Sequence, residues 1–170
     1  MKYLVIGNIV ALIGSVLLIC TGLLSKKKHI VFVQSIQILC FVISNLVLKG
    51  FSGVVINSLS FFRNIFAYKE KLTNPIKICF IVVAAFLCII FNNKGIIGFL
   101  PLISMCLYTW FMTTKDIIKF KYLMISITLL WGIYDFYIMS YTSALVDFIT
   151  VGCNLISFAY TKNEKTKVNK

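Results

Sequence analysis

The sequence predicts an all-α, polytopic membrane protein: seven transmembrane helices, arranged as two parallel three-helix repeats joined by a linker helix. Three observations carry that expectation. The 170 residues are 60% hydrophobic with a mean hydropathy of +0.96, more apolar surface than a water-soluble domain can bury. Seven apolar runs are long enough, or nearly so, to cross roughly 30 Å of hydrocarbon at about 1.5 Å per residue. Finally, a polar stripe is written twice: Gly53, Asn57, Ser60 and Asn64 return ninety positions later as Ser143, Asp147, Thr150 and Asn154. Both sets fall at i, i+4, i+7 and i+11, on one face of a helix.

Span 1 covers about 3–24. It is too long for a signal-peptide core, has no basic flank before it, and is held as a signal-anchor by Lys26, Lys27 and Lys28. Span 2, about 30–48, opens with Gln34 and Gln37, which suit capping or helix bridging, and carries Phe41 and Asn45. Span 3, about 53–68, is short and polar, with Asn57, Ser60, Arg63 and Asn64. Span 4, about 76–92, begins after Pro75 and has no counterpart ninety positions on, so it reads as the linker helix. Span 5, about 96–113, contains Pro101, and span 6, about 121–139, carries Trp131 and Asp135. Span 7, about 143–160, repeats the stripe of span 3 and is followed by a basic tail over 161–170. Spans 3 and 7, the shortest and most polar, are expected inside the bundle. The whole of 1–170 reads as one membrane domain, with repeats over 3–68 and 96–160 around the linker.

The offset also lays Asn45 on Asp135 and Phe41 on Trp131. A single linker crossing restores the direction of the first triplet, so the repeats are parallel about an axis along the membrane normal. The net charge of +12 suggests nucleic acid until its placement is considered. Thirteen basic residues fall in alternate turns and the tail, against Lys2, Lys49 and Lys94 on the other side. This asymmetry places the N-terminus outside and the C-terminus in the cytoplasm, with the tail on lipid headgroups. The expected partners are the lipid bilayer and a small polar solute, with no nucleic acid; homo-oligomerisation is left open. The six cysteines lie within apolar spans without C-x-x-C spacing, and His29 is the sole histidine. No disulfide, metal or cofactor is expected.

Depth follows from the topology. Asn57 lies about 18 Å from the inner boundary at 1.5 Å per residue, near mid-membrane, and Asp147 takes the same depth. Asn64 and Asn154 lie roughly two turns further in, and Asn45 and Asp135 lie near the outer ends. The candidate substrate-binding set is therefore Asn57, Asn64, Asp147, Asn154, Ser60, Thr150, Trp131, Phe41, Asp135 and Arg63. An ionised carboxylate at Asp147 costs at least about 3 kcal/mol at the bilayer centre, so it must be protonated, paired or facing water. It serves as a hydrogen-bond acceptor for substrate or a proton-coupling carboxyl, or else as a structural partner of Arg63 or nearby hydroxyls. Arg63 stands about 120° around the helix from the stripe, and either binds an anionic group or snorkels to headgroups. Trp131 and Phe41 can stack on a substrate ring near the outer entrance. Tyr134, Tyr137 and Tyr141 read as interfacial belt residues. No nucleophile, phosphate loop or metal spacing marks an enzyme, and no catalytic residue is assigned.

The run Lys115-Asp116-Ile117-Ile118-Lys119-Phe120, then Leu130 through Tyr137, then Tyr141-Thr142-Ser143-Ala144, resembles the YgjV-type bacterial inner-membrane proteins. So do Lys49-Gly50-Phe51-Ser52-Gly53 through Asn57 and the pair Arg63-Asn64. That resemblance implies the bacterial plasma (inner) membrane and a fold, but no substrate. The three-one-three plan is similar to that of the SWEET, SemiSWEET and PnuC transporters, where paired asparagines on the third helix of each triplet contact substrate. Their Pro-Gln hinge is missing here; Pro101 can hinge one triplet, while Ala11 stands at the equivalent place in the other. The expected activity is transport of a small polar solute by alternating access. The alternative is a membrane-embedded sensor or accessory subunit.

Overall fold

The computed structural model describes residues 2–21, 27–69, 71–111 and 117–168. Among these there are seven α-helices and no strand: α1 Lys2–Thr21, α2 Lys27–Val47, α3 Phe51–Tyr68, α4 Asn74–Phe91, α5 Leu100–Phe111, α6 Ile117–Tyr137 and α7 Tyr141–Val168. A 3-10 turn, Gly95–Phe99, leads into α5. Each helix falls where an apolar run was expected, with boundaries shifted by a few residues.

Three expectations change. Pro101 sits in the first turn of α5, where a missing N–H costs no hydrogen bond, so it starts that helix and is no mid-helix hinge. Helix α7 extends to Val168 across most of the expected tail, in a stretch free of Gly and Pro after Gly152. It is therefore the longest of the described helices, although its apolar stretch, Tyr141–Ile156, is short. It also shows lipid-sized side chains outward, with Leu145, Phe148, Ile149, Leu155 and Ile156 all exposed.

The helices close into a ring in the order α1, α2, α3, α5, α6, α7 and back to α1, while α4 packs outside against α3 and α5. The ring is apolar on the outside and polar within. On α1, Val5, Ile6, Ile9, Leu12, Ile13, Val16 and Ile19 are exposed, and on α4, Ile78, Val82, Phe86, Ile89 and Ile90. Buried positions include Ser15, Ser44, Asn45, Asn57, Ser60, Arg63, Asn64 and Asp135. Two described stretches, Lys2–Ile19 and Asn74–Phe91, have mean hydropathies of 2.1 and 2.4 yet are only 22% and 17% buried. A water-soluble core helix would hide such surface; here it faces outward, as lipid requires. These two are long and apolar enough to cross a membrane, by length and composition alone, while the apolar stretches of α2, α5, α6 and α7 are shorter.

Helix bounds recur at the ninety-residue offset around the two hairpin turns: α2 and α6 end ninety apart, at Val47 and Tyr137, and α3 and α7 start ninety apart, at Phe51 and Tyr141. The two hairpin turns share their hydrogen bonds as well. Gly50 N donates to Asn45 O at 2.8 Å and Lys49 N to Leu46 O at 3.2 Å; Ser140 N donates to Asp135 O at 2.8 Å and Met139 N to Phe136 O at 3.2 Å. Both are Schellman caps, and each places a non-glycine residue in the left-handed region, Lys49 at φ 57° and Met139 at φ 65°. An asparagine amide satisfies the carbonyl of each: Asn93 reaches Lys49 O at 2.8 Å, and Asn8 reaches Met139 O at 3.0 Å.

Candidate functional site

Inside the ring lies a cavity of about 180 Å³. It is lined by residues of all six ring helices, with none from α4 among the described lining residues. Helix α2 supplies Gln34, Gln37, Ile38, Phe41 and Asn45, and α6 supplies Met124, Ile127, Thr128, Trp131 and Asp135. Every member of the second set stands ninety positions after a member of the first. Leu18 of α1 and Tyr108 of α5 are related in the same way. From Gln34 to Asn45 the wall runs about 16 Å at ~1.5 Å per residue. The volume falls below the ~300–1,000 Å³ of drug-sized sites and suits a small solute.

The end nearer the two hairpin turns is sealed. Tyr134, fully buried, accepts a hydrogen bond from Gly53 N at 2.9 Å. That amide is the last of the α3 N-terminal donors without a helical partner, since Val54 N already bonds Gly50 O at 3.1 Å. Gly53 is required here, because a Cβ would stand 2.8 Å from Asn45 Cγ and 2.9 Å from Tyr134 Cε1. Trp131 meets the Tyr134 ring edge-on at 5.9 Å. Toward the turns, Leu48, Tyr134 and Ile138 form an apolar cluster with Leu4, Ile97 and Leu100 around it. Tyr134 is thus a core and capping residue, and the belt expectation fails for it. Its hydroxyl can be buried because a helix N-terminus supplies the partner. Tyr137 and Tyr141 are exposed on the outer surface, as a belt requires.

Asn45 and Asp135 stand at this sealed end, 3% and 5% exposed. The Asn45 amide Nδ2 donates to Phe41 O at 2.8 Å, while its Oδ1 is buried without a partner. Asp135 Oδ1 is buried without a partner as well. Asp147 reaches the same end from α7, half-buried, over Gly132 of α6; a Cβ on that glycine would lie 3.3 Å from Asp147 Cβ.

Arg63, Asn57, Ser60 and Asn64 line the cavity from α3, all buried. Arg63 is 4% exposed, so its head stays in the bundle and does not reach toward headgroups. It donates to Asn64 Oδ1 at 3.0 Å and Thr109 Oγ1 at 3.3 Å and lies 4.7 Å from the centre of the Tyr108 ring. Its Nε is buried without a partner.

Eight of the ten expected residues therefore share one cavity: Asn57, Ser60, Arg63, Asn64, Phe41, Trp131, Asp135 and Asp147. Thr150 and Asn154 are not among the lining residues. The Thr150 hydroxyl donates to Val146 O of its own helix at 2.8 Å. The reason is packing: among the described residues α3 is held by α2, α4 and α5, whereas α7 packs mainly on α6 and α1. Below Asp147 the helix stands clear, and a Cβ on Gly152 would meet nothing within 4 Å. Sequence reasoning missed Gln34, Gln37, Thr128 and Tyr108 as lining residues. Gln37, Phe41 and Asn45 at i, i+4 and i+8 were the available signal.

A family model described as Imp-YgjV, bacterial inner membrane protein, matches residues 5–165. Comparison with curated proteins and with solved structures found no match.

Proposed function

The chain belongs to the Imp-YgjV family of bacterial inner membrane proteins, and from that premise we propose that it carries a small polar solute across the membrane by alternating access. The observation that carries the reading is the cavity lined by polar side chains inside a ring whose outer surface is apolar. Polar groups inside a membrane bundle are costly, and they are retained where they line a path or hold a ligand. Asn57, Asn64, Asp135 and Asp147 supply the hydrogen-bonding wall, and Trp131 and Phe41 the flat one.

We read the architecture as two parallel triplets, α1–α3 and α5–α7, with α4 as linker and all seven helices spanning. The paired turns, the helix bounds that match on either side of them and the five-for-five lining of α2 and α6 support a duplication. So does the symmetric closure of the ring, in which α1 packs on α7 and α3 on α5. The lysine distribution supports an outside N-terminus and a cytoplasmic C-terminus. No catalytic role is proposed.

The test is counterflow in proteoliposomes, using labelled sugars, amino acids, amines and vitamins as a panel. Asp147→Ala should abolish flux while the protein still inserts and melts cooperatively; unchanged flux sinks the assignment. The small cavity favours a second reading, a sensor that binds a solute without passing it. Binding in a thermal-shift screen without flux, together with co-purification in a larger complex, selects that reading.

A further inference from the structure

We propose that the sealed end of the cavity is a site for an organic ammonium group, a protonated primary amine or a quaternary amine; the inference rests on the transport reading for its purpose. Four buried side-chain oxygens are left over at this end: Asn45 Oδ1 and Asp135 Oδ1, which accept, and the Ser52 and Ser143 hydroxyls, which can also donate but carry no charge. Asn45 has spent its amide on Phe41 O, and its Oδ1, which lies against Gly50 and Gly53 at the start of α3, has no donor. Asp135 Oδ1 is in the same condition, and both residues are more than nine-tenths buried. Asp147 adds a second carboxyl, brought close by the missing side chain of Gly132. The Ser143 hydroxyl beside Asp135 offers a neutral donor and no charge.

Buried acceptors without donors are costly, and buried carboxylates without a cation more so. Arg63, the one basic residue among the described lining residues, does not meet that need. The bond from Gly53 N to Tyr134 sets Asp135 level with Gly53. Arg63 follows ten residues later, about 15 Å down the helix at ~1.5 Å per residue. Its guanidinium is turned onto Asn64, Thr109 and Tyr108.

The remaining wall selects the kind of cation. Trp131, one turn from Asp135 on the same face of α6, brings an aromatic ring to the cavity, and an ammonium is attracted to such a ring. A divalent metal asks for a closer set of hard ligands, and no group of three or more His, Cys, Asp or Glu occurs among the described residues. A neutral polyol brings as many acceptors as donors, and the acceptors would go unmatched here. An anion would meet two carboxyls at this end, with no cationic group there to offset them.

The experiment uses the purified full-length protein in detergent, with propylammonium and tetramethylammonium chloride as probes. Sodium chloride at equal ionic strength, sodium propionate and 1-propanol are the controls. Melting midpoint and tryptophan emission are read together, in a Trp110→Phe background so that Trp131 reports alone. At least one ammonium salt should raise the midpoint and change the emission at millimolar concentration, with the controls inactive. Asp135→Asn, which places there the residue its partner position Asn45 already holds, should weaken that response tenfold or more. If Asp135→Asn does not fold, Asp147→Asn serves in its place, with the same expectation. An equal response to sodium, to propionate or to propanol overturns the proposal, and so does an undiminished response in the folded variant. Counterflow separates this from the transport reading. Ammonium binding without flux keeps the site and removes transport; flux of neutral solutes that propylammonium does not inhibit does the reverse.

Discussion

Tyr134→Phe removes one oxygen from a fully buried side chain and leaves the ring against Trp131 in place. The lost atom accepts the Gly53 N–H at 2.9 Å, and that amide has no helical acceptor because the first α3 bond runs from Val54. The variant therefore leaves a buried donor unpaired, a change that costs about 1–3 kcal/mol. With a midpoint shift of about 2–4 °C per kcal/mol for a chain of this size, a loss of 2 kcal/mol lowers the melting temperature by roughly 4–8 °C. The assay is thermal unfolding of the detergent-solubilised variant beside the parent, at matched protein and detergent concentration. Flux should survive in the folded fraction, because Tyr134 is not among the lining residues. A midpoint unchanged within experimental scatter refutes the capping role and, with it, the argument for why a tyrosine is buried there.

Gly53→Ala should be worse than Tyr134→Phe, since its Cβ would press on Asn45 and the Tyr134 ring at under 3 Å; the same melt measures it. Asn8→Ala removes donors and acceptors that hold Met139 O and Thr142 N, at 3.0 and 3.1 Å. Faster amide exchange confined to the α6–α7 turn is the expected result, with a cost of about 1–2 kcal/mol. Lys49→Gly and Met139→Gly each relieve a left-handed non-glycine residue, so each should raise the midpoint by a few degrees for about 1 kcal/mol. Gains of opposite sign in the two would argue against equivalent turns. Arg63→Lys should not restore flux lost in Arg63→Ala, because an ammonium cannot reproduce the guanidinium contacts to Asn64 and Thr109 together with the Tyr108 face.

Hydropathy located the helices because lipid imposes a length and an apolar exterior on a span. Asn45, Asp135, Phe41 and Trp131, which share the cavity, stood out in the sequence because polar and large aromatic residues are scarce in apolar helices. Which arc of each helix faces inward was not readable. Arg63, well off the stripe on a helical wheel, is interior because α3 has neighbours on three sides. Asn154, on the stripe, lies outside the cavity because α7 has neighbours on two. A wheel gives angles within a helix and carries no information on how many helices surround it. Tyr134 was misread for a related reason: its partner is the end of α3, about eighty positions away, and no local pattern announces it.

The outrigger position of α4 has a consequence for what the cavity can contain. A ring assembled from two separate copies of one triplet must present every side chain in duplicate across its axis, so an acidic residue there would face its own image. Joining two triplets through α4 lifts that obligation, and each half can drift in sign. Here both lining carboxyls belong to the C-terminal half and the lining guanidinium to the N-terminal half. On the proposed two-triplet reading the linker thus converts a twofold-symmetric vestibule into a polarised one, which would give a solute with unlike ends a single preferred heading.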